Sequence, residues 1–154
     1  MTDSSGTYAL LLRPDDEQRI EVGALGEMSV RAGVYVYVGS AFGPGGLRAR
    51  VQRHVEGEGA RHWHVDYLRA ATILETVWYT HDDTRRECRW ASVLRNHPTS
   101  RVPMAGFGAS DCDCSAHLVA FGGMPSFLEF RRRVQAACPD HTVIEQVSPA
   151  NFVT

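Results

Sequence analysis

Two apolar runs in the first half of the chain, residues 6–12 and 34–38, each predict a buried strand. The second run contains only β-branched and aromatic residues, which favour extended backbone. It is followed by Gly39 and by a glycine- and proline-rich turn at 42–46, a composition that permits backbone shapes disfavoured by a Cβ. A helix is predicted to begin near Gly46, because three residues then recur at helical spacing on one face: Leu47, Val51 and His54.

The same patterns predict the remaining elements. A short strand at 20–22 is expected to pair with the first strand across a hairpin, and residues 72–79 are expected to form the third strand of the sheet. A helix is expected to start at Asp82, where acids suit the helix dipole, and to run to about Asn96. Residues 62–68 fit either a helix or a strand. The further predictions are strands at 102–107 and 116–121, a helix opened by a capping box at Ser126 and Glu129, and a terminal strand or extended tail at 139–154.

Length and composition narrow the class of protein. The chain has 154 residues, enough for a single domain spanning 1–154, and no apolar run approaches the ~20 residues of a membrane helix. Its polar start lacks Lys and Arg, unlike a signal peptide, so a cytoplasmic protein without membrane contact is expected. A net charge of -2 does not by itself indicate nucleic-acid binding. All 16 basic residues are nonetheless Arg, which can pair with phosphate through two parallel hydrogen bonds.

The segment from Tyr37 to His54 groups residues that suit a phosphate site. A strand delivers Tyr37, Gly39 leaves a gap, and the following helix carries Arg50 and His54 four residues apart on one side. Taken singly, each residue also has a structural interpretation, because strand tyrosines pack and helix arginines are solvated. The combination favours the phosphate site.

At this point the motifs resemble a known family. The second half of the GIY-YIG endonuclease signature is matched by Tyr37-Val38-Gly39-Ser40-Ala41 and the following Arg50-x-x-Arg53-His54, and the first half by Gly6-Thr7-Tyr8. The Uri subfamily is resembled by His62-Trp63-His64-Val65-Asp66-Tyr67-Leu68 and by Phe107-Gly108-x-Ser110-Asp111-Cys112-x-Cys114.

The resemblance covers residues 6 to about 121 and implies a small α/β domain. Its central, mainly antiparallel sheet of three or more strands would be flanked by helices, with an added C-terminal strand and helix within 122–154. Thr7 departs from the usual Gly-Ile-Tyr. The interval between Tyr8 and Tyr37 is also longer than in compact members, so an extra hairpin or strand is expected there.

The resemblance further implies a metal-dependent endonuclease that hydrolyses phosphodiester bonds in DNA, with RNA not excluded. Tyr8 and Tyr37 would lie side by side and orient or deprotonate the attacking water. Arg50 would hold the scissile phosphate, and His54 would bond to a tyrosine or move a proton. Glu87 would bind Mg²⁺ or Mn²⁺. Further substrate contacts are expected from Gly39, Ser40, Arg48, Arg53, His62 and His64.

Glu87 is also unusual on helical spacing alone. It falls on or beside the apolar stripe that contains Trp90 and Ala91, and an inward carboxylate costs free energy unless a partner offsets it. That partner can be an arginine or a divalent metal. Glu75 is a second candidate for a metal ligand, although its place within a strand fits less well.

Cysteine and histidine spacing leaves two alternatives open. Cys88 with Cys112, Cys114 and His117 would make a Cys3His set suited to structural zinc, although the Cys-x-Cys spacing is tighter than a usual knuckle and reduced thiols near the site are favoured. Such a cluster could instead steady a non-catalytic nucleic-acid-binding module. A third hypothesis is a metallohydrolase built on His62, His64 and Asp66.

Overall fold

The computed structural model describes residues 1–57, 59–109 and 114–152. A five-stranded sheet forms the centre of the fold, and two short strands form a separate hairpin. In chain order the strands are β1 (Gly6–Pro14), β2 (Gln18–Glu21), β3 (Glu27–Val30), β4 (Val34–Ala41), β5 (Thr72–Thr80), β6 (Leu118–Phe121) and β7 (Glu145–Val147). The helices are α1 (Gly46–Glu56), α2 (His64–Arg69), α3 (Glu87–Arg95) and α4 (Phe127–Ala137), with 3-10 turns at Gly23–Leu25 and Pro149–Phe152.

The central sheet is antiparallel throughout, in the order β6-β4-β1-β5-β7. The predicted α/β architecture with an added C-terminal strand and helix is therefore confirmed. Since β1 lies between β4 and β5, both of its edges are hydrogen-bonded, and its nearly continuous apolar sequence is buried on both faces.

Alternation along β1 and β4 separates two hydrophobic cores. One face carries Tyr8, Leu10 and Tyr37, which pack with residues of α1 and α2. The opposite face carries Leu11 and Val36, which pack with residues of α3 and α4. Helices therefore cover both faces of the sheet. No helix in the described part of the chain has both the length and the apolar character needed to cross a membrane.

Helix α1 begins in a conformation that only glycine tolerates well. Gly45 and Gly46 have φ values of 82° and 60°, in the left-handed region. A Cβ at Gly46 would also lie 1.9 Å from the carbonyl oxygen of Asp3. The glycine-rich turn thus lets the N-terminal segment pass directly over the start of α1, where Ser4 accepts a hydrogen bond from the Leu47 amide at 2.9 Å.

The strand predicted at 20–22 forms, but its expected pairing with the first strand was wrong. These residues belong largely to β2, which pairs with β3 in the separate hairpin. The physical reason is that β4 and β5 already occupy both edges of β1. This hairpin is the extra element expected in the long interval between Tyr8 and Tyr37.

Two further boundaries differ from the prediction. Residues 102–107 form turns rather than a strand, and only Arg101 makes an isolated bridge, to Ala120. Gly106 and Gly108 have φ values of 82° and 71°, which interrupt extended backbone. In the ambiguous segment 62–68 the helix is observed from His64 onward.

The helix expected from Asp82 instead begins at Glu87. The Asp82 carboxylate accepts hydrogen bonds from the amides of Thr84 and Thr142, each at 2.9 Å, and from Arg86 Nη2 at 3.2 Å. It thereby joins the turn before α3 to the segment before β7. Burial acts to raise the pKa of Asp82, but these hydrogen bonds outweigh that effect and lower the pKa to about 2.

We expect Asp82→Asn to destabilise the fold by about 3–5 kcal/mol, because buried Arg86 loses its buried counter-charge and keeps only the exposed Asp140. Since the pKa of Asp82 is depressed in the folded state, this stabilisation is present above about pH 4 and is lost as the pH falls towards about 2. Urea unfolding of both proteins across this range should show their free-energy difference shrinking. Asp140→Asn is the matched control, because Asp140 contacts Arg86 at 3.5 Å from an exposed position. Equal costs for the two substitutions would contradict the assignment.

Candidate active site

Tyr8 and Tyr37 lie side by side on one face of the sheet. Tyr8 pairs with Gly39 across β1 and β4, and Tyr37 lies two residues before Gly39, so the tyrosines are diagonal neighbours. Their ring centroids are 6.3 Å apart. Both rings are buried in the core that includes α1. The register of two strands therefore brings two phenol groups together.

Gly39 makes room for the hydroxyl group of Tyr8. A Cβ at position 39 would lie 2.6 Å from Tyr8 Oη and 3.1 Å from Tyr37 Cε2. The first of these distances is shorter than real Cβ contacts, so any side chain here would displace the phenol. The glycine of the motif is thus required by this close approach.

His54 projects from α1 onto the tyrosines. Its Nε2 lies 2.8 Å from Tyr8 Oη, and its Nδ1 has no hydrogen-bond partner among the described residues. Burial is the main cause that lowers the pKa of His54 to about 3; Arg50 lowers it further, and Asp66 opposes the shift. The imidazole is therefore neutral at neutral pH and shares a hydrogen bond with Tyr8.

Burial also keeps both phenols protonated. It raises the pKa of Tyr8 well above the ordinary value, although the nearby Arg50 guanidinium acts in the opposite direction. The pKa of Tyr37 is likewise raised by burial, and a negative charge on Tyr8 would raise it further. Neither tyrosine is ionised at neutral pH in the free protein.

Arg50 is held in place by two contacts. Its Nη1 donates a hydrogen bond to the Ser40 carbonyl at 3.0 Å, and its guanidinium carbon lies 4.3 Å from the centre of the Trp63 ring. Arg53 also contacts Trp63, at 4.1 Å. A strand end, a helix and the residue before α2 together fix the position of the Arg50 charge.

These groups border a cavity of about 550 Å³. Tyr37 and Arg50 line it from the sheet and α1, and Glu87 lines it from the first turn of α3. Glu87 lies 3.9 Å from Arg85, which donates a hydrogen bond to Ser40 Oγ at 3.2 Å. The full lining is Tyr37, Gly39, Ser40, Phe42, Gly43, Arg50, Trp63, Arg85, Glu87, Gly108 and His117.

Four predicted substrate contacts do not line this cavity in the described structure. Arg53 donates hydrogen bonds to the Ala60 carbonyl and to Asp66. Arg48 is exposed beside the N-terminus, and His62 is exposed next to Trp63. His64 Nδ1 instead accepts a hydrogen bond from the Gly108 amide at 2.8 Å, and burial lowers its pKa.

Two alternative metal sites receive no support from the geometry. The Asp66 carboxylate accepts hydrogen bonds from the amides of His62 and Trp63 as well as from Arg53, so it serves as a helix cap. Glu75 forms a partly exposed salt bridge with Arg13 at 2.8 Å on β5. Among the described residues, neither Asp66 nor Glu75 belongs to a group of three or more potential metal ligands, and nor does Glu87.

Three of the four predicted zinc ligands do come together. Potential ligand atoms of Cys88, Cys114 and His117 all lie within 4.8 Å of one another. Cys112 lies outside the described residues. Burial is the main cause that lowers the pKa of His117, which also lines the cavity.

Sequence reasoning missed several residues that shape the cavity. Arg85 lies over the ring of Phe42, with its guanidinium carbon 4.5 Å from the ring centre, and Trp63 holds Arg50. The one local signal that could have indicated Arg85 is its position two residues before Glu87. A contact between an arginine and an aromatic ring from a distant segment produces no recognisable spacing or motif in the sequence.

The sequence profile of one family, a domain of unknown function designated DUF123, matches residues 7–138. Because this match spans most of the chain, the protein belongs to that family, which is GIY-YIG-like and has no known function. This membership agrees with the resemblance at the level of the GIY-YIG group. Comparisons with curated proteins and with solved structures gave no significant match.

We expect His54 to remain neutral down to about pH 4, because burial lowers its pKa to about 3. In the unfolded chain, by contrast, His54 takes up a proton below its ordinary pKa of about 6.5. The free energy of unfolding therefore falls as the pH is lowered from about 6.5 towards 3. Ring chemical shifts in labelled histidine NMR spectra measure this, with His54→Gln used for assignment. Titration of His54 near pH 6 would be the contrary result.

Gly39→Ala is expected to destabilise the protein by about 1–3 kcal/mol, because the new methyl group overlaps Tyr8 Oη. Gly43→Ala is the matched control: Gly43 lines the same cavity, and a Cβ there meets no atom within 4 Å. Urea unfolding compares the two variants. If both lose equally little stability, Gly39 does not serve to admit the Tyr8 hydroxyl.

Proposed function

We propose that this protein is a metal-dependent endonuclease that hydrolyses phosphodiester bonds in DNA. The observation that carries the proposal is the convergence of Tyr37, Arg50 and Glu87 on one cavity. The hydrogen-bonded Tyr8 and His54 lie directly beside it, behind Gly39. Phosphodiester hydrolysis needs an activated water and stabilisation of the charge on the phosphate and the leaving oxygen, and a phenol pair, a fixed guanidinium and a carboxylate that binds a metal can supply them. RNA remains a second possible substrate, and a cytoplasmic location stays a prediction.

Arg50 would bind the scissile phosphate. Ser40 and Trp63 hold its guanidinium at the cavity wall, and the donors not used by Ser40 can bond to phosphate oxygens. Negative charge on those oxygens grows during attack, so a fixed cation beside them stabilises the transition state more than the ground state. Arg85, which also lines the cavity and also contacts Ser40, would supply further positive charge.

The tyrosines and His54 would handle the proton of the attacking water. Tyr37 lines the cavity and orients the water, while Tyr8 connects to the neutral imidazole through its 2.8 Å hydrogen bond. A bound phosphate would favour the protonated form of His54, because a nearby negative charge raises the pKa of a cation. Binding of substrate would therefore prepare His54 Nε2 to accept the phenol proton of Tyr8 while Tyr8 Oη takes the proton of the attacking water.

Glu87 fits a site for Mg²⁺ or Mn²⁺. Mg²⁺ in such sites is bound by one or two carboxylates, and waters and substrate phosphates fill the remaining positions. Glu87 supplies one partly exposed carboxylate on a cavity roomy enough for waters and phosphate oxygens. When bound, such a cation stabilises charge on the phosphate and leaving oxygens and lowers the pKa of bound water.

A contact between two motifs supports the finer proposal of a Uri-type subfamily. His64 belongs to the segment at 62–68, and Phe107 and Gly108 begin the later one. The Gly108 amide donates to His64 Nδ1, and the rings of His64 and Phe107 are 5.6 Å apart. The described start of the later segment therefore packs against His64 beside Tyr37, whose ring centroid lies 6.2 Å from that of Phe107.

The test is cleavage of labelled DNA and RNA panels with Mg²⁺, Mn²⁺ or a chelator. We expect Glu87→Ala and Arg50→Ala to lower the cleavage rate about 10²–10³-fold, because each removes stabilisation of transition-state charge. Tyr37→Phe should lower it about 10²–10⁴-fold, because the hydroxyl that positions the water is lost. Substrate binding by Glu87→Ala, measured by fluorescence anisotropy, should persist.

Matched controls use the same residue types away from the cavity. Glu75→Ala and Arg13→Ala each remove one partner of a surface salt bridge. Tyr67→Phe removes the hydroxyl group of a tyrosine that does not line this cavity. All three should cleave like the unsubstituted protein. Undiminished cleavage by Glu87→Ala would refute the site. Nucleic-acid binding without cleavage under any condition would favour the alternative, a non-catalytic binding module with a Cys/His cluster.

A further inference from the structure

Cys88, Cys114 and His117 converge from different parts of the chain. Cys88 lies in the first turn of α3, His117 immediately precedes β6, and Cys114 lies three residues before His117. Their potential ligand atoms lie within 4.8 Å of one another, and Cys88 Sγ is 3.8 Å from His117 Nε2. Two thiols and an imidazole at such distances are the donor set of a soft-metal site.

We propose that these three residues bind Zn²⁺. Zinc bonds of about 2.3 Å to sulfur and 2.0–2.1 Å to nitrogen in a tetrahedron place ligand atoms roughly 3.6 Å apart. Cys88 Sγ and His117 Nε2 are already close to this distance at 3.8 Å, and the other ligand atoms, which lie within 4.8 Å, would have to approach by up to about 1 Å. Thiolate and imidazole favour Zn²⁺, whereas Mg²⁺ prefers oxygen ligands, so this site and Glu87 would select different cations.

The backbone around the three ligands is fixed by protein contacts. The Gly106 amide donates to the Ser115 carbonyl at 2.7 Å, and the His117 amide donates to the Phe107 carbonyl at 2.8 Å. Arg95 of α3 donates to the Ala116 carbonyl at 2.6 Å. The segment with two of the ligands is therefore already joined to the helix that carries the third. A metal ion would reinforce an existing arrangement.

The site borders the candidate active site and shares His117 with the lining of its cavity. His117 and Glu87 line the same cavity, and Cys88 follows Glu87 on α3. Bound zinc would hold the first turn of α3 against the start of β6 and so maintain the position of the Glu87 carboxylate. Zinc binding itself stands apart from the proposed nuclease function; only its consequence for Glu87 rests on that function.

The experiment uses reduced, metal-stripped protein titrated with Zn²⁺ against a chromophoric chelator, and with Co²⁺ as a spectroscopic probe. We expect one ion per chain and a thiolate-to-cobalt charge-transfer band. Cys88→Ser and Cys114→Ser should each weaken zinc binding by more than the 10–100-fold typical of changes around a metal ligand, and should reduce the band. Cys138→Ser makes the same change at a buried cysteine outside the cluster, and it should leave the zinc affinity and the charge-transfer band unchanged.

Two results would overturn the proposal. One is a Co²⁺ spectrum without a thiolate band, or zinc affinity unaffected by Cys88→Ser in a variant whose circular dichroism shows a normal fold. The other is a disulfide between Cys88 and Cys114, found by mass spectrometry, together with no zinc uptake after reduction. Glu87→Ala should bind zinc normally even if it no longer cleaves nucleic acid. The zinc proposal and the nuclease proposal can therefore be overturned independently of each other.

Discussion

The pairing of Tyr8 with Gly39 across β1 and β4 is the constraint on which the candidate site depends. This register puts both tyrosines on the face covered by α1, where His54 reaches the Tyr8 hydroxyl. A slip of one residue in β4 would turn Tyr37 towards the opposite core. The register is strongly specified because each face of the sheet buries its own group of apolar side chains. A slip of one residue in either direction would move the β4 side chains of each core to the other face.

The sequence was sufficient where an element is defined by its own residues. The apolar runs of β1, β4 and β5 and the capping box of α4 were read correctly, since their patterns match strand and helix geometry locally. The pairing of residues 20–22 was not readable, because it depends on β1 having no unoccupied edge. The start of α3 was misplaced because Asp82 bonds to the distant Thr142 amide, which no local pattern reveals.

The same distinction applies to the site. The resemblance grouped Tyr37, Arg50 and Glu87, and the strands and helices that carry them bring all three to the lining of one cavity. It also assigned a substrate contact to Arg53, which lies three residues after Arg50 on the same helix. Only the fold reveals that Asp66 and the Ala60 carbonyl engage Arg53, leaving Arg50 at the cavity. Trp63 was missed as a support for Arg50 for the same reason.

The contacts of Arg50 have an entropic consequence. Fixing a long side chain such as arginine costs about 1.5–2 kcal/mol in rotamer freedom. Here the Ser40 carbonyl and the Trp63 ring order the guanidinium before any anion arrives. An anion that binds in the cavity therefore meets a side chain with little motion left to lose, and more of the attraction is expressed as affinity. If an anion binds there, part of its affinity is thus determined while the chain folds.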